Sequence, residues 1–281
     1  MENDKGTLYI VATPIGNYED ITLRALNVLK LVDYIACEDT RHTGVLLKHY
    51  EIKKPLFAYH KFNEMDKSEY ILELLSNGKS VAIVSDAGSP GISDPGVIAA
   101  RAAREAGCTV TAIPGATAFV TSLMASGINL SNFAFIGFAP QKDAKRKKFL
   151  EEYKLYAMPL IFYEAPHRLL AFLKTALEVF GDKEIFISRE LTKIYEENIS
   201  MSIKDSIEYF TLKEPRGEFV ITIINEINAS EDEDIDIHEE ARNLLDEGLS
   251  IKDGANKLKE LGFKKNDAYK ALIDIKEEEN V

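Results

Sequence analysis

Hydrophobic residues in the first 115 positions alternate between short continuous runs and sets with helical spacing. The continuous runs predict strands at residues 8–13, 34–39, 80–86 and 109–113. Between them, segments such as ITLRALNVLKLVD and GVIAARAAREAG predict amphipathic helices. Strands that alternate with helices in this way are typical of a mostly parallel sheet covered by helices. The pattern therefore predicts an α/β fold.

From residue 116 onward the alternation becomes less regular. Apolar runs predict strands at residues 133–138, 158–165, 184–191 and 217–224, and HRLLAFLKTALEVFG predicts a long helix. We expect a second α/β lobe with strands in mixed directions. The predicted domains are an N-terminal lobe at 1–115, a C-terminal lobe at 116–228, and a linker with a helical tail at 229–281.

The tail begins with the acidic stretch ASEDEDID, which predicts a linker, and continues with the pattern of three short helices. The capping signals are Asp236 with Glu239, Ser250 with Asp253, and the glycines Gly248 and Gly262. The apolar stripes are Ile251, Ala255, Leu258 and Leu261 on one helix and Ala268, Leu272 and Ile275 on the next. These features predict a small bundle resembling a helix-turn-helix.

The net charge is distributed unevenly along the chain. The formal charge of −12 argues against a nucleic-acid partner, but residues 226–281 carry −9 of it. The rest of the chain carries only −3 and contains a dense basic stretch at residues 142–148. Such a stretch can contact phosphates, although a solvated helix face is an equally good explanation of a lone charge run.

Composition and segment lengths narrow the class of protein further. Apolar residues make up 46% of the chain and charged residues 28%, as in ordinary globular proteins. We expect no signal peptide, because the chain starts with acidic residues and an early proline instead of a basic region followed by an apolar stretch. We expect no membrane segment and a cytoplasmic location, because no apolar run approaches the roughly 18 residues of a membrane span. Cys37 and Cys108 lie in separate apolar segments. We expect two buried thiols there, with a disulfide as the alternative.

Several familiar catalytic motifs fail on inspection. No G-x-G-x-x-G follows a strand, so a dinucleotide site is not supported. The AGSPG stretch approximates a serine nucleophile elbow, but Pro90 has no N–H to donate to an oxyanion. No cluster of cysteine and histidine has the spacing of metal ligands, so we expect no metal site.

Three loops rich in small residues each follow a predicted strand. The longest is SDAGSPGISDPG at residues 85–96, and the others are TPIGN at 13–17 and PGATA at 114–118. Small residues let a backbone approach a ligand closely, and strand ends of an open α/β sheet converge on a ligand crevice. The loops therefore predict a small-molecule pocket. The alternative for residues 85–96 taken alone is a long surface loop.

Six stretches of the chain match one known family in content and in order. They are LYIVATPIGN, ACEDTRHTGVLL, VAIVSDAGSPGISDPG, LIFYEAPHRL, SRELTK and RGEFVITI. The chain resembles the tetrapyrrole methylase (class III methyltransferase) superfamily and, within it, the ribosomal RNA small subunit methyltransferase I family. The resemblance implies two lobes with S-adenosyl-L-methionine in the cleft between them, and a homodimer. It also implies 2′-O-methylation of a cytidine in the decoding region of 16S ribosomal RNA.

The resemblance also implies cofactor contacts at matching positions. They are Pro14, Gly16, Asp86, Gly88, Ser89, Pro90, Gly91, Ile92, Ser93, Ala116 and Thr117, with Phe162 and Tyr163 as cleft walls. Two positions depart from the family pattern. Phe62 stands where members often have a second histidine, which argues against a catalytic histidine pair. The residues 139–141, Ala-Pro-Gln, stand where members usually have Leu-Pro-Arg.

Methyl transfer to a ribose hydroxyl needs an aligned acceptor and a base, or a cation that favours the alkoxide. The catalytic candidates are Glu164, His167 and Lys193, with Arg168, Arg189 and Glu190 near them in motif order. Structural roles are the alternative. Glu164 can pair with Arg168 at helical spacing, and Arg189 with Glu190 can link the two lobes.

Basic residues near these motifs are the predicted contacts to RNA phosphates. They are Arg41, Lys142, Lys145, Arg146, Lys147, Lys148 and Arg168. The predicted partner is 16S ribosomal RNA or the small ribosomal subunit. Two other functions stay open: a methylase of a corrin or porphyrin precursor, which would share the fold, and a non-enzymatic ribosome-assembly factor, which predicts a degenerate cleft.

Overall fold

The structure is a computed structural model that describes residues 5–225, 237–246, 248–260 and 263–278. The described residues form two compact units: residues 5–154 with 158–225, and residues 155–157 with the described part of 226–281. The first unit contains two sheets, each with its own helices, and these are the N-terminal and C-terminal lobes. The domain boundaries at 115 and 228 stay predictions.

The N-terminal lobe is built on a parallel sheet, which explains its continuous apolar runs. Within residues 5–225 its strands are β1 (Thr7–Val11), β2 (Tyr34–Cys37), β3 (Leu56–Ala58), β4 (Val81–Val84) and β5 (Thr109–Ile113), in the order β3-β2-β4-β1-β5. Each neighbouring pair is parallel. All of β4 is buried, as expected for a central strand covered on both faces.

Helices cover both faces of this sheet. They are α1 (Leu23–Leu31), α2 (Thr40–His49), α3 (Glu64–Ser76) and α4 (Val97–Glu105). On one face α1 and α2 pack against Ile35, Cys37 and Val84, and on the other α3 and α4 pack against Ala36 and Ile83. Successive strand residues point to opposite faces, so one apolar run supplies two cores.

The C-terminal lobe has the mixed sheet that the pattern predicted. Its strands are β6 (Ala134–Phe138), β7 (Leu160–Glu164), β8 (Glu184–Arg189), β9 (Glu197–Ser202) and β10 (Phe219–Ile223), in the order β6-β7-β10-β8-β9. The pair β6 and β7 is parallel, and the remaining pairs are antiparallel. The α/β prediction is thus confirmed for both lobes.

Four helices cover the second sheet unequally. They are α5 (Ala118–Ser126), α6 (Asp143–Glu151), α7 (Pro166–Phe180) and α8 (Ile203–Leu212). Helices α6, α7 and α8 bury the larger core, which includes Phe162, Phe172 and Phe219. Helix α5 lies on the opposite face, where Leu123 packs against Ile161 and Val220.

Among the described residues of the tail, three helices enclose a small apolar core. They are α9 (Ile237–Asp246), α10 (Ile251–Glu260) and α11 (Lys265–Glu278). The Ser250 hydroxyl accepts a hydrogen bond from the Asp253 N–H at 3.2 Å, which confirms that cap. Gly248 follows α9 with a φ of +84°, as predicted for a residue just after a helix. The predicted positions Asp236, Leu261 and Gly262 lie outside the described residues.

Two α-helices and two strands of the two lobes were not predicted from the sequence: α2, α8, β3 and β9. Strand β3 has only three residues, and its side chains are all half-buried. Strand β9 is the polar edge segment ENISMS, whose burial alternates between half-buried and exposed over its first residues. Short or polar edge strands carry little apolar signal, since one side of the strand has no neighbour to cover it.

Both thiols, Cys37 and Cys108, are buried and free.

Shortening Phe172 to alanine is expected to destabilise the first unit by about 3–5 kcal/mol, because it leaves a cavity in the larger core. Phe172 is fully buried, and its ring centroid lies 5.1 Å from that of Phe162. Leu23 is the control: its side chain is 80% exposed, so Leu23→Ala should change the free energy of unfolding by less than about 0.5 kcal/mol. Urea titration followed by far-ultraviolet circular dichroism suits this chain, which has no tryptophan. Equal midpoints for the two variants would contradict the assigned core.

Candidate active site

The three loops of small residues meet at the carboxyl ends of β4, β1 and β5, which are neighbours in the sheet. Thr13 and Gly88 exchange backbone hydrogen bonds of 2.9 and 3.1 Å, which joins the first loop to the longest one. The hydroxyls of Ser89 and Thr117 lie 2.7 Å apart, which joins the longest loop to the third. The predicted convergence of the loops is confirmed.

The loops form one side of a cavity of about 330 Å³, and the C-terminal lobe forms the other. From the N-terminal lobe its lining is Ile15, Glu38, Asp86, Ala87, Gly88, Ser89, Ile92, Ser93 and Asp94. From residue 117 onward its lining is Thr117, Ala118, Phe138, Tyr163, Glu164, Ala165, Leu191, Lys193, Glu218, Phe219 and Val220. A cavity of this size, with mostly apolar walls and a few polar groups, is typical of a small-molecule site.

Gly16 permits the close contact between the two lobes beside the cavity. A Cβ atom at this position would lie 2.5 Å from Lys193 Cγ and 2.9 Å from the Leu191 carbonyl oxygen. Leu191 and Lys193 both line the cavity. A side chain at residue 16 would therefore displace the segment that forms one wall of the cavity.

An aromatic pair and a hydrogen bond shape the wall from the C-terminal lobe. The Tyr163 hydroxyl accepts a hydrogen bond of 3.1 Å from the Phe119 N–H at the start of α5. The ring of Phe138 meets the Tyr163 ring edge-on, with 5.6 Å between centroids. Phe138 remains about half exposed, so this aromatic surface extends to the cavity mouth.

Carboxylates concentrate on the N-terminal side of the cavity. Glu38 follows β2, while Asp86 and Asp94 belong to the longest loop. Burial, and then the negative charges of Asp94 and Asp86, raise the pKa of Glu38 to about 7. Burial, and then the charge of Asp86, raise the pKa of Asp94 as well. Such a cluster favours a ligand that carries positive charge.

The structure brings seven of the thirteen predicted cofactor residues to the cavity surface. They are Asp86, Gly88, Ser89, Ile92, Ser93, Thr117 and Tyr163. Pro14, Gly16, Pro90, Gly91 and Ala116 belong to the same loops but do not line the cavity. Phe162 is the clear correction: its side chain is fully buried in the core against Phe172, not in the cleft. Adjacent strand residues face opposite ways, so Tyr163 reaches the cavity and Phe162 cannot.

Glu164 lines the cavity, but both of its oxygens are engaged. Its Oε1 accepts a hydrogen bond of 2.9 Å from the Ala165 N–H and lies 3.0 Å from Arg168 Nε. Its Oε2 accepts a hydrogen bond of 3.2 Å from Arg168. Arg168 also donates to the Ala139 carbonyl. The pairing proposed as a structural alternative is therefore present, and it ties β7, α7 and the end of β6 together.

His167 and Lys193, the other catalytic candidates, differ in position. His167 is exposed in the first turn of α7 and does not line the cavity. Lys193 Nζ lies 2.8 Å from Glu190 and 3.0 Å from Glu218. Burial lowers the pKa of Lys193, but the hydrogen bonds to these carboxylates outweigh it and raise the pKa overall, so the amine stays charged. Arg189 pairs with Glu197 at 3.0 Å in the same lobe, and not with Glu190.

The predicted phosphate contacts separate into exposed and buried residues. Lys142, Lys145 and Lys148 are exposed on or beside α6, and Lys147 pairs with Glu178 at 3.1 Å. Arg41 is also exposed but is held by Asp39 at 2.7 Å. Arg168 is largely buried by its pairing with Glu164.

Arg146 is a correction to the predicted set. Its side chain is almost fully buried, and it donates to the Thr175 hydroxyl and the Gln141 carbonyl, each at 3.0 Å. It also pairs with Asp143. These contacts leave no guanidinium surface for a phosphate, so Arg146 joins α6 to α7.

Several residues that line the cavity are absent from the cofactor and catalytic sets predicted from the sequence. Examples are Ile15, Glu38, Asp94 and Phe138. Glu38 directly follows a strand that neighbours β4, but that neighbour relation is a property of the topology and is not visible in the sequence.

In the parts of the chain that the structure describes, no group of three His, Cys, Asp or Glu residues could hold a metal ion. No described helix is long and apolar enough to span a membrane.

Comparisons with known proteins agree with this architecture. Residues 7–205 match the family model for Tetrapyrrole (Corrin/Porphyrin) Methylases. Similar solved structures include uroporphyrin-III-C-methyltransferase from Thermus thermophilus, with a TM-score of 0.55 and 21% identity over 79% of this chain and 96% of that one. The methyltransferase CobJ gives a TM-score of 0.59 at 18% identity over 78% and 93%. At these identities the likeness shows the fold alone.

Sequence relatives are much more similar. A Haemophilus influenzae protein named Ribosomal RNA small subunit methyltransferase I is 44% identical over 94% of this chain and 95% of its own length. Proteins with the same name from Bacillus subtilis and Escherichia coli O157:H7 are 46% and 41% identical, over 83% and 97% of this chain and 80% and 96% of their own lengths. The chain belongs to the tetrapyrrole methylase family and, within it, to the ribosomal RNA small subunit methyltransferase I family.

The methyl donor of this family, S-adenosyl-L-methionine, suits the residues that line the cavity. The donor carries a positive sulfonium and a positive ammonium group, which Asp86 and Asp94 complement. Its flat adenine suits apolar walls such as Ile15 and Leu191. The chain therefore combines a cavity of suitable size, charge and apolar surface with a family of methyltransferases.

Replacing Gly16 with alanine is expected to weaken S-adenosyl-L-methionine binding by about tenfold, or roughly 1.4 kcal/mol. The added Cβ would displace the wall that carries Leu191 and Lys193. Gly44→Ala is the matched control, because its nearest neighbour, Leu56 Cδ1, would lie 4.0 Å away. Isothermal titration calorimetry of both variants checks this. Unchanged affinity in Gly16→Ala would show that the contact does not hold the cavity wall.

Replacing Arg146 with methionine is expected to cost about 1–3 kcal/mol of stability, because the Thr175 hydroxyl and the Gln141 carbonyl lose their donor. The neighbouring Lys145→Met should change stability by less than about 0.5 kcal/mol, because Lys145 is exposed. Urea unfolding distinguishes the two. A stable Arg146→Met protein with impaired RNA binding would return Arg146 to the phosphate-contact set.

Proposed function

We propose that the chain transfers a methyl group from S-adenosyl-L-methionine to the 2′-oxygen of a cytidine ribose in the decoding region of 16S ribosomal RNA. One observation carries this proposal: the cavity wall leads directly into a basic helix. Phe138 lines the cavity at the end of β6, and α6 begins five residues later at Asp143. A site of this shape offers a small-molecule pocket beside a surface that suits phosphates.

The relatives support ribosomal RNA as the substrate, since those compared above are named for the RNA of the small subunit. The acceptor atom and the position on the RNA rest on the six motif stretches that resemble the family. We further propose that the chain acts in the cytoplasm, where the small ribosomal subunit is found, and that it acts as a homodimer.

The proposed cofactor residues either line the cavity or support its loops. Asp86, Gly88, Ser89, Ile92, Ser93, Thr117 and Tyr163 would contact the cofactor, and Pro14, Gly16, Pro90, Gly91 and Ala116 would hold the loops in place. When bound, S-adenosyl-L-methionine supplies an electrophilic methyl group. The chain's own contribution is to align an acceptor hydroxyl with that methyl and to exclude competing water.

The second lobe supplies the proposed acceptor side. Lys193 is a fixed cation at the cavity wall, where it can stabilise negative charge that develops on the ribose oxygen. Glu164 and Arg168 would position the wall around Tyr163 and Ala165 instead of transferring protons, because they are paired with each other. His167 is exposed at the start of α7, which suits contact with incoming RNA.

The proposed phosphate contacts are Lys142, Lys145 and Lys148. Lys147 of the same helix and Arg41 of the N-terminal lobe are further candidates, although each is paired with a carboxylate. No described residue forms an ion pair with Lys142, Lys145 or Lys148, so their charges remain available to phosphate groups. The tail region, with a net charge of −9 over residues 226–281, suits a protein surface better than phosphates.

The central test is incubation of the purified chain with methyl-labelled S-adenosyl-L-methionine and small ribosomal subunits from cells that lack this protein. Label at a cytidine 2′-oxygen in the decoding region is expected after mapping of the RNA. Parallel reactions contain naked 16S RNA or a tetrapyrrole acceptor. Transfer to the tetrapyrrole alone would favour a small-molecule methylase. Tight subunit binding without transfer to any acceptor would favour an assembly factor.

Replacing Lys145 and Lys148 together with alanine is expected to raise the subunit concentration for half-maximal rate by about three- to tenfold. The slope of log affinity against log salt should fall in magnitude by about two, one for each lost phosphate contact. Lys30→Ala with Lys48→Ala is the control pair, since both lysines are exposed on helices of the other lobe. Cofactor affinity should not change in either double variant. Identical salt slopes would remove α6 from the proposed RNA surface.

A further inference from the structure

Glu38 lies at the carboxyl end of β2 and lines the cavity. Cys37 pairs with Val84 of the neighbouring strand β4, so Glu38 and the loop that starts at Ser85 leave the sheet at the same level. The Asp39 N–H donates a hydrogen bond of 3.1 Å to Asp86 Oδ1, which fixes the two loops together. The backbone that carries Glu38 is thus held against the proposed cofactor loop.

The Glu38 carboxylate has an oxygen without a partner. Its Oε1 is buried and accepts no hydrogen bond from any residue that the structure describes. Its neighbour Asp39 instead holds the nearby cation, with Arg41 at 2.7 Å. A buried carboxylate oxygen left unpaired is costly, and such groups recur where a proton is to be bound.

Other groups at the cavity are less suited to accept a proton. Both oxygens of Glu164 are occupied by Ala165 and Arg168. Lys193 is kept protonated by two carboxylates. Asp86 already accepts the Asp39 N–H. Asp94 lines the cavity, but it has no oxygen that is both buried and unpaired, so it is retained as a comparison in the test below.

We propose that Glu38 is the general base of the methyl transfer, and this rests on the function proposed above. The ribose 2′-oxygen forms the new bond to the methyl carbon with one of its lone pairs. The carbon–sulfur bond breaks, and its electron pair stays on sulfur, so the sulfonium becomes a neutral thioether. The proton of the 2′-hydroxyl passes to the Glu38 carboxylate, and solvent later removes it.

The charges around Glu38 set the direction of its pH dependence. Asp86 and Asp94 face it from the longest loop, Asp39 and Arg41 are on its own segment, and the opposite wall carries Glu164, Lys193, Glu218 and the Tyr163 hydroxyl. Burial and the nearest carboxylates raise the pKa of Glu38 to about 7. A base must be unprotonated, so the rate should rise as pH passes upward through this value and then level off.

The test is single-turnover methylation of small ribosomal subunits by wild type, Glu38→Gln and Glu38→Asp between about pH 5.5 and 9, a range that brackets the pKa of Glu38. Glu38→Gln keeps the shape of the side chain but cannot accept a proton. It should lose at least about 100-fold in rate, together with the rising limb of the pH profile. Glu38→Asp should retain part of both. Glu69→Gln, an exposed change on α3, should behave as wild type.

A second measurement separates proton transfer from cofactor binding. Glu38→Gln should bind S-adenosyl-L-methionine and S-adenosylhomocysteine with the same affinity ratio as wild type. If Glu38 served instead to hold the sulfonium, the variant would lose affinity for the charged donor and keep it for the neutral thioether. Retained affinity for both ligands also shows that the variant is folded.

Three results would overturn the proposal. The first is a Glu38→Gln rate within threefold of the wild-type rate. The second is a selective loss of affinity for the sulfonium donor that is large enough to account for the lower rate. The third is that Asp94→Asn, and not Glu38→Gln, loses the rising limb of the pH profile. Wild type that shows no 2′-O-methylation would instead overturn the proposed function. Because the wild-type product is mapped first, the two failures are distinguishable.

Discussion

The contact between the loop at Gly16 and the turn at residues 190–193 is the constraint on which the site depends. The two lobes each have their own sheet and core, so the cavity exists only where their loops meet. In the turn, Glu190 and Thr192 adopt φ values of +51° and +63°, which are unfavourable for residues with side chains, above all for a β-branched one. In the same turn, Lys193 pairs with Glu190 and Glu218, and Leu191 lines the cavity.

This arrangement explains how an acidic chain can present a site for a cationic donor and an anionic acceptor. Carboxylates lie inside, and those of the longest loop, Asp86 and Asp94, would favour a positive sulfonium. Exposed lysines lie outside, on α6, where phosphates would be favoured. The total charge of −12 is therefore a poor guide to the partner of this chain.

Much of the fold and the location of the site were predictable, because parallel strands and strand-end loops leave strong local signals. The errors arose where a residue's role depends on its neighbours in space. Arg146 lies in a run of lysines, and only the packing of α6 on α7 shows that it is buried beside Thr175. The wrong prediction for Phe162 was avoidable, because the alternation of side chains along a strand separates it from Tyr163. Glu38 could not be recognised from the sequence, since its importance depends on the strand order β3-β2-β4-β1-β5.

The contrast between Glu38 and Asp39 shows how local structure determines which carboxylate is reactive. Asp39 is the cap of α2, where it accepts a hydrogen bond of 2.8 Å from the Arg41 N–H. That geometry also brings the Arg41 guanidinium to Asp39, and these hydrogen bonds lower the pKa of Asp39. Glu38, the residue before it, lines the cavity and receives neither contact. The helix that follows β2 thus holds one carboxylate ionised on the surface and leaves its neighbour able to bind a proton near neutral pH.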